Sequence, residues 1–201
     1  MSQLARTEPV GSLLRPPALK ELFEQIYGGH QSHVAVFLAN DERESWAQLQ
    51  RLADDAIREA VKRQIDIGLD VVTDGEMRRA HFVNSLFDGL GGIVENPELD
   101  DDERGFTPPP DPQAAERLRL VSNPLVTESE FLSSITEHPW KVTLPAASNF
   151  YATQYSSSAY GSRDEFVGHV VELSRELVGG AVAAGASYVQ FDYPLYPALC
   201  D

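Results

Sequence analysis

The chain has 201 residues, 42% of them apolar and 23% charged, so it is long enough to bury one substantial core and too apolar for global disorder. Its formal net charge of −15 disfavours phosphate backbones and anionic membranes as main partners. A single cysteine, Cys200, excludes an intramolecular disulfide or a CxxC site, and its place after Pro197-Ala198-Leu199 suits a buried structural thiol. No segment approaches about 18 uninterrupted apolar residues and no secretory signal is visible, so a soluble cytoplasmic protein is the default expectation.

Thr7 to Ser12 reads as a short extended piece ending in a glycine turn. Pro16 and Pro17 open a helix through Tyr27, because proline is tolerated in a first turn. The clearest helix is expected from Asp41 to Ile67. Trp46, Leu49, Ala53, Ile57, Ala60, Val61 and Ile65 recur at helical spacing, Asp41 with Glu44 resembles a capping box, and Gly68 fits a C-terminal cap. Val71 to Thr73 then reads as a buried strand. Arg78 to Leu90 reads as a loop with a short helix.

Residues 93–112 lack periodicity, carry the acids Glu95 to Glu103 and end in prolines, which predicts an acidic, proline-rich insertion loop within one domain spanning 1–201. A strand is expected within Leu118–Val126, with Thr127-Glu128-Ser129-Glu130 capping a helix to Thr136. Trp140 to Leu144 is a further strand, stopped by Pro145. Ala146 to Gly161 is a polar, tyrosine-rich loop. Ser162 to Glu165 forms another capping box, and the helix it opens carries Phe166, Val170, Leu173, Leu177 and Val178 and ends near Gly185. Tyr188 to Asp192 is the last strand.

Two stretches share one grammar: Gly68 to Glu76 and Gly185 to Asp192 each run from a helix-stopping glycine through a β-branched or aromatic strand to carboxylates. That is the punctuation of a parallel α/β fold, where chemistry collects at the carboxyl ends of strands. Five strands are counted in this way. The turn Val10-Gly11-Ser12-Leu13 lacks the GxGxxG spacing of an open nucleotide-binding sheet. The expected fold class is therefore an α/β (β/α)8 TIM-type barrel, incomplete, with about five βα units.

Asp74-Gly75-Glu76 ends the second strand, and the glycine permits a tight turn. Two readings are open there: Glu76 binds an ammonium group with Asp74 orienting it, or Asp74 caps the next helix in a salt-bridged turn. Asp192 either faces a pocket or caps a loop. Ser12 offers a hydroxyl and a backbone N–H to a carboxylate. Taken together, Ser12, Glu76 and Asp192 describe a pocket for an α-amino acid. His81 is a possible pocket residue, more naturally a polar or stacking contact than a metal ligand. His30, His33, His138 and His169 lack ligand spacing, and no metal ligands, Ser/His/Asp triad or other catalytic residue is assigned.

These motifs resemble the cobalamin-independent methionine synthase superfamily, its catalytic C-terminal domain and single-domain relatives. The resemblance rests on Val10-Gly11-Ser12 with Arg15-Pro16, on Gly68 through Arg79, on Lys141 through Pro145 and on Tyr188 through Pro194, and it covers nearly the whole chain. It implies a TIM-type barrel that moves a methyl group onto the homocysteine thiol, which a zinc ion binds and activates as thiolate. It further implies that Ser12 holds the homocysteine carboxylate, and that Glu76 and Asp192 hold its ammonium. The expected partners are a small thiol and a methyl donor, with self-association through an open barrel edge.

The sequence departs from the family in three places. The zinc ligands, beginning with a His-x-Cys motif, are absent from these 201 residues. Tyr193 stands where the family has a glutamate. Ala146, Ala147 and Ser148 stand where folate-using members have a tryptophan. The chain alone is accordingly expected to be inactive, and a non-catalytic amino-acid-binding fragment or degenerate paralogue is the alternative. A relative in the uroporphyrinogen decarboxylase group ranks lower, because Asp74, Glu76 and Asp192 would repel a polycarboxylate.

Overall fold

The structure is a computed structural model and describes residues 5–27, 43–82, 84–95, 112–150 and 155–193. Helix α1 (Pro17–Tyr27) follows the proline pair as expected. It buries Leu19, Leu22, Phe23, Ile26 and Tyr27 on one face, which packs against α2 (Arg43–Asp66). Helix α2 contributes Leu49, Ala53, Ala56, Ile57, Ala60 and Val61 to the core. Its end is set by Gly68, whose φ of +84° is left-handed and whose N–H returns to the Ile65 carbonyl at 2.9 Å. The capping residue expected at Asp41 lies outside the described residues.

One position on α2 reverses the sequence expectation. Ile65 is exposed at 36%, whereas Gln64 is buried at 4%. The Gln64 side chain donates to the Thr73 carbonyl and accepts the Thr73 N–H, both at 2.9 Å. The amide thus stands in for a neighbouring strand, and a buried backbone pair without such a partner would carry a desolvation penalty.

Four extended segments run side by side in the same direction. The Thr7 carbonyl accepts from Asp70 N and Val71 N at 3.0 and 3.2 Å, and Leu13 N donates to the Gly75 carbonyl at 3.0 Å. Val72 forms a parallel bridge with Trp140. Strand β3 (Val142–Pro145) then pairs in parallel with β4 (Val189–Asp192), from Val142 opposite Val189 to Pro145 opposite Asp192. All four β3 residues are buried. The architecture is α/β; among the described residues the ladders are two two-stranded sheets, and no closed barrel is present.

The expected strand within Leu118–Val126 is resolved differently. Strands β1 (Leu90–Glu95) and β2 (Pro112–Leu120) pair antiparallel, away from the parallel ladder, with an irregularity between Gly91 and Ile93. Ile93, Ala114 and Leu118 are buried while Glu116, Arg117 and Arg119 are exposed, the one-sided burial of an antiparallel ribbon. Both ends of the predicted 93–112 insertion therefore belong to paired strands, and residues 96–111 lie outside the described set. Residues 84–89 form a 3-10 turn leading into β1.

Helix α3 (Pro124–Ile135) starts earlier than the predicted box at Thr127. Asn123 is the cap, accepting from Leu125 N and Val126 N, and Pro124 fills the first turn, where a missing N–H costs nothing. Glu128 then falls beyond the first turn and is buried, 3% exposed. Helix α4 (Arg163–Ala183) starts as expected: Ser162 accepts from Glu165 N at 3.1 Å, and Phe166, Val170, Leu173 and Leu177 are buried. Gly185, at φ +106°, ends the connection to the last strand.

Candidate functional site

The turn after the second extended segment is built from its own side chains. Thr73 Oγ1 accepts from Gly75 N at 3.1 Å, and Asp74 Oδ1 accepts from Glu76 N at 2.9 Å. Gly75 and Glu76 both have positive φ, +67° and +57°. Glycine adopts that conformation freely, whereas glutamate does so at a cost that surrounding contacts must hold in place. A Cβ on Gly75 would lie 2.9 Å from Leu13 Cβ, so the first segment closes directly over the turn. Arg15 clamps the outside, reaching the carbonyls of Glu76 at 3.2 Å, Met77 at 3.4 Å and Arg79.

The result is a buried carboxylate aimed inward. Glu76 is 3% exposed. Its Oε2 accepts from Ser12 Oγ, and its Oε1 accepts from Thr143 Oγ1 at 2.7 Å and Arg79 Nη1 at 3.3 Å. Arg79 is also buried; its Nε and Nη2 form a two-pronged pair with Glu128 at 3.0 and 2.7 Å, and Nη2 reaches the Thr143 carbonyl at 2.7 Å. Burial opposes the Arg79 charge, but Glu128, Asp74 and Glu76 outweigh it and raise the pKa, so the guanidinium stays cationic.

Asp192 enters from the end of β4. Its carboxylate accepts from Gln190 Nε2, and its carbonyl accepts from Ala146 N at 2.9 Å and Asn149 Nδ2 at 2.8 Å. Burial pushes the Asp192 carboxyl above the usual aspartate range; the Gln190 hydrogen bond pulls it back, and the nearby Glu76 charge pushes the same way as burial. Ser12, Glu76 and Asp192, distant in sequence, line one cavity of about 410 Å³ together with Val10, Gly11, Phe82 and Tyr193.

The remaining sequence candidates occupy lesser positions. Asp74 is 4% exposed and sits behind the turn, where it holds the Glu76 amide rather than the cavity wall. His81 is not among the lining residues; its ring tilts against Phe82 at 5.1 Å. Sequence reasoning placed Arg79 near the site without a role, and missed Thr143, Glu128 and Gln190. The pairings that give these four their roles span 49 to 67 residues for Glu128 and Thr143, beyond any local pattern. A polar residue at the third-last position of a strand ending in Asp192 was the one available hint for Gln190.

No protein-family model matches the chain. Two curated relatives from Bacillus subtilis (strain 168) do: the uncharacterized protein YxjH, 26% identical over 193 residues, and the uncharacterized protein YxjG, 24% identical over 198 residues, each matching 93% of this chain. Among solved structures, a B12-independent methionine synthase from Shewanella sp. W3-18-1 in complex with selenomethionine superposes over 94% of this chain with a TM-score of 0.69 and 25% identity. The chain has the fold of the cobalamin-independent methionine synthases. A putative vitamin-B12-independent methionine synthase from Listeria monocytogenes agrees, with a TM-score of 0.67 at 20% identity over the whole chain.

The chain spans about half the length of these proteins: 47% of each curated relative, and 51% and 56% of the two solved methionine synthases. Among the described residues no group of three or more His, Cys, Asp or Glu side chains is placed to hold a metal ion, and Cys200 lies outside them. The described residues therefore do not fit the zinc site that the family resemblance implies. No helix among them is long and apolar enough to cross a membrane.

Proposed function

We propose that this chain carries the amino-acid-binding part of a methyltransferase of the methionine synthase type, and that its cavity takes homocysteine as acceptor and methionine as product. The observation that carries this reading is the meeting of Ser12, Glu76 and Asp192 on one cavity. Two carboxylates there suit an ammonium group, and Phe82 and Tyr193 offer aromatic surface to a sulfur atom, a favourable contact for thioethers. The selenomethionine in the Shewanella structure is a ligand of this chemical class.

The Ser12 hydroxyl donates to Glu76. An incoming ammonium satisfies Glu76 and releases that hydroxyl, so both poles of the amino acid gain a partner in one event. Arg79 and Thr143 keep the Glu76 carboxylate from turning away while this happens. The chain's own residues bind and orient the amino acid. No methyl-transfer step is assigned to them, because the described residues do not fit a zinc site.

The four parallel segments are read here as an arc of a (β/α)8 barrel. Among the described residues β4 pairs only with β3, and Phe191 and Val10 are exposed at 54% and 81%. Such an edge favours association with further β structure, either a second copy or a complementary part. A small thiol and a methyl donor remain the proposed partners, in the cytoplasm, with no role for nucleic acid or membrane at a net charge of −15.

The second reading is a non-catalytic amino-acid binder, which keeps the cavity of Ser12, Glu76 and Asp192 and gives it no chemistry to perform. Calorimetric titration with L-methionine and L-homocysteine tests what both readings share: saturable binding supports it, and no heat with either sinks it. Metal analysis after zinc loading of the chain together with a complementary barrel part and homocysteine separates the two, since about one tightly held zinc per complex supports the enzyme and none supports the binder.

A further inference from the structure

A chain of polar side chains runs behind Asp192, and neither its residues nor their spacing is accounted for by amino-acid binding alone. Lys141, at the start of β3, is 1% exposed although it carries an ammonium group. Its Nζ lies 3.4 Å from Glu8 Oε2 and donates to Gln190 Oε1. Gln190 Nε2 in turn donates to Asp192 Oδ1 and, at 2.8 Å, to the Val10 carbonyl.

The direction of this relay is fixed by elementary chemistry. A lysine ammonium has donors only, so the Gln190 oxygen must face it. The Gln190 NH₂ group is then forced to face Asp192 and Val10. The Asp192 carboxylate and the Val10 carbonyl, acceptors only, select the same orientation from the other side, so a turned-over amide would clash electrostatically at both ends. One side chain also joins two lining residues of the cavity: Val10, which precedes the Gly11-Ser12 turn, and Asp192.

We infer that Gln190 is a positioning residue, oriented by the buried Lys141, which aims Asp192 into the cavity and sets its separation from the Ser12 turn. This rests on the reading of the cavity as an amino-acid site. The charged groups that act on Asp192 are Glu76 from the turn, Arg79 behind it and Lys141 from β3, with Gln190 the direct hydrogen-bond donor.

The test measures Asp192 itself as well as binding. Carboxyl carbon NMR of the ligand-free protein, with Asp192→Asn to assign the resonance, follows its titration in wild type, Gln190→Leu, Gln190→Asn and Lys141→Met. Gln190→Asn keeps the amide but is one methylene short, so it separates reach from polarity and serves if Gln190→Leu does not fold. Asp192 is expected to titrate at higher pH in all three variants. L-methionine affinity by calorimetry is expected to fall about tenfold, as for loss of one hydrogen bond to a charged group. An unmoved Asp192 titration in a folded Gln190 variant overturns the inference. Absence of L-methionine binding by wild type overturns the amino-acid reading instead, and the titration still decides whether Gln190 governs Asp192.

Discussion

Ser12 Oγ donates to the Glu76 carboxylate at the cavity both residues line, although 64 residues separate them in sequence. The two side chains proposed to hold opposite poles of an amino acid thus also bond to each other. Ligand binding is then an exchange of partners, and its net gain is smaller than the sum of the new contacts. Ser12→Ala is expected to weaken L-methionine binding only about threefold to tenfold, because the backbone N–H remains. Glu76→Gln removes a desolvated charge and is expected to cost about 2–5 kcal/mol of affinity. Titration calorimetry on the two variants checks the order; equal losses would contradict the exchange.

The Arg79–Glu128 pair supports Glu76 from behind with both partners buried. Arg79→Met leaves Glu128 and Glu76 as uncompensated buried carboxylates and is expected to lose about 3–5 kcal/mol of stability. Arg79→Met with Glu128→Leu should recover most of that loss in urea denaturation, since a buried pair exchanged for apolar groups is often neutral. Binding should stay impaired in the double variant, because Glu76 has still lost its cation. Full recovery of binding would show that Arg79 serves the fold alone.

Two glycines give a matched contrast. Gly75→Ala combines a positive φ with a close approach to Leu13 and is expected to destabilise by at least about 1–2 kcal/mol and to displace Glu76. Gly168 lies within α4, where an added Cβ meets nothing within 4 Å. Gly168→Ala is expected to stabilise by about 0.5–1 kcal/mol. Thermal melts of both variants decide the matter, and a stabilised Gly75→Ala would refute the geometry of the turn.

Asp192 predicts a pH dependence of definite sign. Burial, reinforced by Glu76, raises its pKa in the folded protein. Between the ordinary aspartate range and that raised value the folded state holds more protons than the unfolded chain. Its contribution to stability is therefore fully present at low pH and lost as pH rises through the folded pKa. An ammonium ligand needs the ionised form, so L-methionine affinity should rise across the same window. Melting temperatures with and without L-methionine, compared with Asp192→Asn, test both slopes. A wild-type affinity that falls as pH rises there would rule the assignment out.

The helices and their stops were legible in the sequence because their signals are local. Proline opens α1, Ser162 opens α4, and Gly68 and Gly185 end the helices before the second and last parallel segments; each acts within a turn of backbone. The same grammar marked Glu76 and Asp192 as strand-end residues, and the Gly11 turn marked Ser12. The failures were those in which distant groups competed for a residue. Gln64 lies inside and Ile65 outside because Thr73 needs a backbone partner. The cap moved from Thr127 to Asn123, which leaves Glu128 inside to pair with Arg79, and β2 pairs antiparallel with β1 instead of joining the parallel ladder.

Helix stops, the positions of the acids and the alternation of α and β follow from backbone preference and short-range periodicity along the chain. That Ser12, Glu76 and Asp192 share one cavity, with Arg79, Thr143 and Gln190 holding two of them in place, follows from packing. Those contacts depend on which buried charge meets which donor once solvent is excluded, and that pairing is set by packing rather than by neighbours along the chain.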